Sequence, residues 1–167
     1  MSRELVELNE WVTLVRMHAF NEDEPYYYFQ LDDYVSVIAI NERNEVAFVR
    51  QFRPTLNIET LELPGGIIEH GESIFEAALK ELLEETGLGS IAYIAEFKPL
   101  YVDSVRLSLR NHTVILRTST ENIALSEPKI QLTWVHKDEL LVLLESGQIS
   151  LESHSGAIAK ALLLQYI

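Results

Sequence analysis

The pattern of apolar and polar positions along the 167-residue chain predicts a series of β-strands interrupted by three helices. YVSVIAI (34–40) is an apolar, β-branched run, the signature of a buried strand. EVAFVRQF (45–52) follows it after the short polar turn NERN (41–44), so the two read as a hairpin. Upstream, WVTLVRM (11–17) and YYYFQL (26–31) form a second expected strand pair around NEDEP. Downstream, IAYIAEF (91–97), HTVILRT (112–118) and QLTWVH (131–136) are further strand candidates. Ser73 opens S-x-x-E with Glu76, a capping-box signal, and Gly87 stands where a C′ glycine would, so a helix is predicted over 74–86. DELLVLLESG (138–147) and the C-terminal SGAIAKALLLQYI supply the other two helices. Mixed strands with three helices predict an α+β fold with helices layered on a sheet. No linker, repeat or low-complexity tract divides the chain, so residues 1–167 are expected to form one domain, with the strand pair of residues 1–32 as an N-terminal extension.

Composition narrows the function classes. A formal net charge of −13 argues against DNA or an anionic membrane as partner, since both need a basic surface. A small anionic ligand remains compatible, because arginines and a divalent cation can invert the local field. No apolar run approaches the ~18 residues of a membrane span, and MSRELVELNEW lacks the apolar core of a signal peptide. The absence of cysteine excludes disulfides and thiolate metal sites and fits a cytoplasmic location.

One stretch contradicts ordinary charge patterning. LPGGIIEHGESIFEAALKELLEETGL (63–88) holds six glutamates from Glu69 to Glu85 against the single lysine Lys80. At 100° per residue, Phe75, Leu79, Leu82 and Leu83 cover one arc of the helix, expected to be its core face. Glu81, Glu84 and Glu85 share another arc with Ala77 and Ala78, whose small size would admit a second backbone, such as that of Gly65 and Gly66. The i,i+4 pair Glu81 and Glu85 mildly destabilises an isolated helix. Three convergent carboxylates with a backbone carbonyl make an all-oxygen site suited to Mg²⁺ or Mn²⁺. A solvated acidic face is the alternative for a generic helix of this kind.

The spacing of the whole segment decides between them. Gly66, Glu72 after five residues, and then after seven more Lys80-Glu81-Leu82-x-Glu84-Glu85-x-Gly87-Leu88 resemble the Nudix box of the Nudix hydrolase superfamily over 66–88, at every defined position except Lys80. DYVSVIAINERNEVAFVRQFRP and LELPGG look like the approach to the box in the ADP-ribose and nucleoside-diphosphate-sugar hydrolases of that group. The resemblance implies an α/β/α sandwich with a mixed sheet. It also implies Mg²⁺-dependent cleavage of a nucleoside diphosphate linked to a sugar, with a small-molecule nucleotide as the partner.

Carried over by resemblance, Gly65 (through its carbonyl), Glu81, Glu84 and Glu85 are the metal ligands, and Glu72 ties the loop to the helix. The general base is a helix glutamate or one on the later loop STENIALSEPK, where Glu127 is preferred to Glu121. Arg53 in VRQFRP resembles the family's phosphate-contacting arginine; Glu62 and Arg106 join it as substrate-binding residues, with Arg110 a further candidate. Trp11 and Tyr26, Tyr27 and Tyr28 either stack a base, as N-terminal strands of related dimers do, or pack in the core. His70 and His112 read as ordinary polar residues. The N-terminal strands suggest a homodimer, because an isolated hairpin needs a partner surface.

Two departures from the family pattern stand out. Lys80 occupies the position of a box arginine that organises the carboxylates, and lysine lacks the planar fork. Asp103 and Ser104 fill the region where ADP-ribose hydrolases carry a proline, the nearest here being Pro99, which leaves sugar nucleotides open as substrates. The competing expectations are a nucleotide-binding domain with little catalysis and a dinucleoside polyphosphate hydrolase.

Overall fold

In the computed structural model, residues 3–18, 24–124, 127 and 130–167 are described. The chain begins with three antiparallel strands, β1 (Arg3–Asn9), β2 (Val12–Met17) and β3 (Tyr26–Leu31), in that spatial order. The expected pair is thus a three-stranded sheet; most of the NEDEP turn lies outside the described residues. β1 escaped the sequence reading because RELVELN is exposed along its whole length and has no buried face to betray it.

The second sheet has seven strands: β4 (Tyr34–Ile40), β5 (Glu45–Arg53), β6 (Ile58–Glu62), β7 (Gly65–Ile67), β8 (Leu88–Tyr101), β9 (Arg110–Asn122) and β10 (Gln131–His136). Its order is β10-β5-β4-β9-β8, with β6 added to β5 and β7 to β4. Only β4 and β9 run parallel, so the sheet is mixed. The β4–β5 hairpin closes as expected: Asn41 Oδ1 accepts the Arg43 and Glu45 amides, and Asn44 takes a left-handed φ of 58°.

Helices cover both faces. α1 (Ile74–Thr86) lies on one, and α2 (Leu140–Glu145), preceded by a 3-10 turn at Lys137–Glu139, lies with α3 (Glu152–Leu163) on the other. β4 is apolar from Val37 to Ile40 because both its faces are covered, and its one buried hydroxyl, Ser36, is hydrogen-bonded to Asn111. Val35, Val37 and Ala39 point to α1, whereas Ile38 and Ile40 join the core under α2 and α3. The result is the expected α/β/α sandwich. No described helix is long and apolar enough to cross a membrane.

α1 matches its predicted bounds, with both halves of the Ser73–Glu76 capping box formed and Gly87 at φ 72° closing the end. Its buried face differs from expectation. Ala77, Ala78, Leu82 and Glu85 are buried, while Phe75 and Leu83 are 37% and 36% exposed. The alanines let the helix settle close to the sheet, so the nearest face is set by small side chains rather than by the largest ones. Phe75 instead packs edge-on against Tyr93 at the rim.

Candidate active site

The site is built where α1 meets β7. β7 pairs with β4 through Ser36–Gly65 and Val35–Gly66. A Cβ on Gly65 would collide with the Val35 carbonyl, and one on Gly66 would lie 2.5 Å from the Glu81 carboxylate. Gly65 is therefore required by close approach of the sheet backbone, whereas at Gly66 a side chain would have to displace the Glu81 carboxylate. Glu85, one turn after Glu81, accepts the Gly65 amide on Oε2 at 2.9 Å. The two helix carboxylates thus rest on the two glycines, and the more exposed Glu84 stands beside them. Around them opens a cavity of about 420 Å³ bordered also by Arg53, Tyr34, Lys80 and Trp11.

Electrostatics sharpen this arrangement. Burial pushes the Glu81 carboxyl up to about 7, against Lys80 and with the help of the Glu84, Glu72 and Glu127 charges. Burial likewise pushes Glu85 up to about 7; its Gly65 hydrogen bond opposes the rise, and the Glu81 and Glu127 charges add to it. A half-buried and a buried carboxylate that resist ionising beside each other are what a bound cation would relieve. Their oxygen-only chemistry suits a hard divalent ion. The residues present therefore fit such an ion, although among the described residues no three acidic or histidine side chains are drawn into a ready-made cage. Like charges held apart, and Glu85 turned onto the Gly65 amide, account for that openness.

Arg53 enters the cavity wall already engaged. Its Nε and Nη2 donate to Glu62 Oε1 and Oε2 at 2.7 and 2.6 Å, a bidentate pair in which Glu62 is fully buried. Burial works against the Glu62 charge, but Arg53 and the Thr60 hydroxyl outweigh it and hold this carboxyl below its usual range. Glu62 therefore orients the guanidinium, and it is Arg53 that borders the cavity.

The remaining predicted residues divide sharply. Lys80 Nζ donates to Glu69 at 3.0 Å and to Glu72 at 3.3 Å, so among the described residues it braces the loop before α1 rather than bonding to Glu81, Glu84 or Glu85. Glu72 also accepts the Glu69 amide, consistent with a loop-tying role. The Glu127 amide donates to the Glu84 carbonyl at 2.9 Å, which docks the later loop at the end of α1, while Glu121 is exposed on β9. Arg106 is not brought to the glutamates: it is exposed and paired with Asp103 on the loop after β8. Arg110 is held by Asp33. Tyr26 and Tyr28 line a separate cavity of about 660 Å³, and Trp11 alone of the aromatic candidates borders the glutamates. His70 is exposed, and His112 is buried with Nε2 3.5 Å from Asp33.

Sequence reasoning missed Tyr34 and His154. The Tyr34 ring forms part of the cavity wall, and its hydroxyl is strongly held in the neutral form, by burial first and then by Glu85 and Glu62. His154 Nδ1 accepts the Leu63 amide at 3.1 Å from the opposite face of the sheet. A tyrosine opening a strand and a histidine on a terminal helix carry no spacing signal that could have marked them.

A family model described as the NUDIX domain matches residues 30–153. An ADP-sugar pyrophosphatase of Mus musculus is 33% identical over 141 residues, 77% of this chain and 63% of that protein. An ADP-ribose pyrophosphatase of Bacillus subtilis (strain 168) is 42% identical over 53 residues, 32% of this chain and 29% of that protein. The chain thus spans less than two thirds of the length of the relatives it matches. A solved structure described as an ADP compounds hydrolase superposes with a TM-score of 0.79 over 99% of this chain and 91% of its own, at 20% identity, a likeness of fold.

Proposed function

The chain belongs to the NUDIX family, and from that premise we propose that it hydrolyses the pyrophosphate of a nucleoside diphosphate linked to a sugar, either ADP-ribose or a sugar nucleotide. The products are nucleoside monophosphate and sugar phosphate. The observation that carries this reading is the pair of charge-resisting carboxylates, half-buried Glu81 and buried Glu85, seated on Gly66 and Gly65 beside a cavity that Arg53 borders.

Glu81, Glu84, Glu85 and the Gly65 carbonyl would hold Mg²⁺, or Mn²⁺ in its place. Such an ion supplies charge stabilisation at the phosphoryl oxygens and a more acidic attacking water. The chain's own residues do the positioning. Arg53, locked in plane by Glu62, presents a fixed guanidinium edge to a phosphate, which point charges on mobile stems cannot match. Glu127, whose loop is tied to the end of α1, takes the proton from the attacking water. Glu72 and Lys80 keep the loop before α1 in place.

A second copy of the chain would cover the exposed Leu5, Val6 and Leu8 of β1, giving a homodimer. The charge of −13 disfavours DNA as a partner, and a chain without cysteine suits the reducing cytoplasm.

Purified protein incubated with Mg²⁺ and a panel of ADP-ribose, sugar nucleotides and dinucleoside polyphosphates, with the products resolved, tests the proposal. Nucleoside monophosphate plus sugar phosphate is the expected outcome. Tight binding without turnover of any member would establish a nucleotide-binding domain in its place.

A further inference from the structure

Tyr34 opens β4, between Ile67 of β7 and Asn111 of β9. Its ring stacks on the His154 imidazole, with centroids 6.3 Å apart and planes 20° from parallel. His154 is itself fixed by the Leu63 amide, so the phenol is held in place from the α3 side. Tyr34 and Arg53 are the two described residues that border both the glutamate cavity and a second cavity, of about 390 Å³, on that side.

Packing does not account for the hydroxyl. A phenylalanine would stack on the imidazole in the same way, and among the described residues the Tyr34 hydroxyl has no hydrogen-bond partner. Unlike Asn111 Nδ2 and His154 Nε2, which protein encloses, it keeps accessible surface. Of the charged groups around it, Glu85 acts most strongly, followed by Glu62, Arg53 and Glu81, so the hydroxyl lies on the side of the glutamate cavity. A phenol, with an ordinary pKa of about 10, is a neutral donor near pH 7.

Arg53 borders the same opening with a donor to spare. Its Nε and Nη2 are taken by Glu62, which leaves Nη1 without a partner among the described residues. A guanidinium edge and a neutral hydroxyl together suit the oxygens of a phosphoryl group: the first supplies charge, the second a directional donor that adds none. A sugar hydroxyl gains little from the guanidinium charge, whereas a phosphoryl oxygen gains from both donors. Resting on the hydrolase reading above, we propose that the Tyr34 hydroxyl is a substrate contact: it donates to a non-bridging oxygen of the diphosphate that Arg53 grips. Stacked on His154 and unable to swing away, it orients that group toward Glu81 and Glu85.

The test is calorimetric binding, with Mg²⁺ present, of two probes to wild-type and Tyr34→Phe. One is α,β-methylene-ADP, whose P–C–P linkage cannot be hydrolysed; the other is methylenebisphosphonate, the same diphosphate mimic without a nucleoside. The variant removes the hydroxyl and keeps the ring on His154, so its thermal unfolding should match wild-type. Any unfolded fraction lowers the stoichiometry rather than the affinity of the folded molecules. Both probes should bind about 10-fold more weakly to the variant, ~1.4 kcal/mol. Unchanged affinity for both would overturn the assignment even if the wild-type protein hydrolyses its substrates. A loss confined to α,β-methylene-ADP would set the hydroxyl against the nucleoside and overturn it as well. Both affinities lowered, with no turnover of any substrate by wild-type, would overturn the hydrolase reading and leave the phosphate contact standing.

Discussion

Glu85 and His154 reach the same short segment, Leu63 to Gly65, from opposite faces of the sheet. Glu85 on α1 accepts the Gly65 amide, and His154 on α3 accepts the Leu63 amide. Both are buried titratable groups, but burial drives them in opposite directions: the carboxyl up to about 7 and the imidazole down to about 4. Each is pushed toward neutrality, as a low-dielectric setting demands. The difference lies in what surrounds them. Glu85 feels the Glu81 and Glu127 charges, a repulsion that a proton or an added cation relieves, whereas His154 stacks on Tyr34 and stays neutral with the opposed Glu62 and Arg53 charges nearby. The α1 side is thus a cluster whose ionisation costs stability, whereas on the α3 side a neutral imidazole braces the Leu63 amide.

Substitution should separate the two roles. Glu85→Gln keeps an oxygen for the Gly65 amide and discards the charge. Turnover should fall on the order of a thousandfold, the several kcal/mol of charge stabilisation that a metal ligand supports, while chemical denaturation shows stability unchanged or higher. His154→Ala should do the reverse. It leaves the Leu63 amide unpaired and opens a cavity, so unfolding free energy should drop by about 2–4 kcal/mol, with a smaller loss of activity per folded molecule. If the histidine variant instead lost activity as deeply as Glu85→Gln at full stability, the contrast between brace and site would collapse. Lys80→Arg is the mildest change. Because Lys80 bonds Glu69 and Glu72 rather than the helix carboxylates, steady-state kinetics should show turnover raised by no more than about threefold, within the range of a partly exposed ion pair.

How much of this was written in the sequence depends on whether a feature is local. α1 could be bounded to the residue because its capping box and its left-handed glycine lie within the segment itself. The glycines and helix glutamates were legible for the same reason. β7, by contrast, is the short sequence Gly-Gly-Ile, whose two glycines disfavour a strand and which is held as one by pairing with β4. The buried face of α1 was misassigned because side-chain size was taken as the guide, when close approach at Ala77 and Ala78 decides it. Arg53 and Glu62 were singled out separately, but nothing in their spacing announced the bidentate pair they form across β5 and β6, nor that Arg106 pairs with Asp103. The His154–Leu63 bond spans 91 residues, and nothing along the chain announces it.

The two titrations also oppose each other in pH. Glu81 and Glu85, raised above 4.5, contribute stability that is full below about pH 4.5 and is lost as pH rises through about 7. His154, lowered below 6.5, contributes stability that is present above about pH 6.5 and is lost as pH falls toward 4. The two slopes overlap, so the carboxylates are best isolated on the alkaline side, where a cation competes with no proton. Thermal unfolding with and without Mg²⁺, near pH 8 and again near pH 5, for wild-type and the Glu81→Gln/Glu85→Gln double variant, tests the metal assignment most directly. The account predicts that Mg²⁺ raises the wild-type Tm by on the order of 5 °C near pH 8, much less near pH 5, and not at all in the double variant. An equal rise in the double variant, or none in wild-type near pH 8, would contradict it.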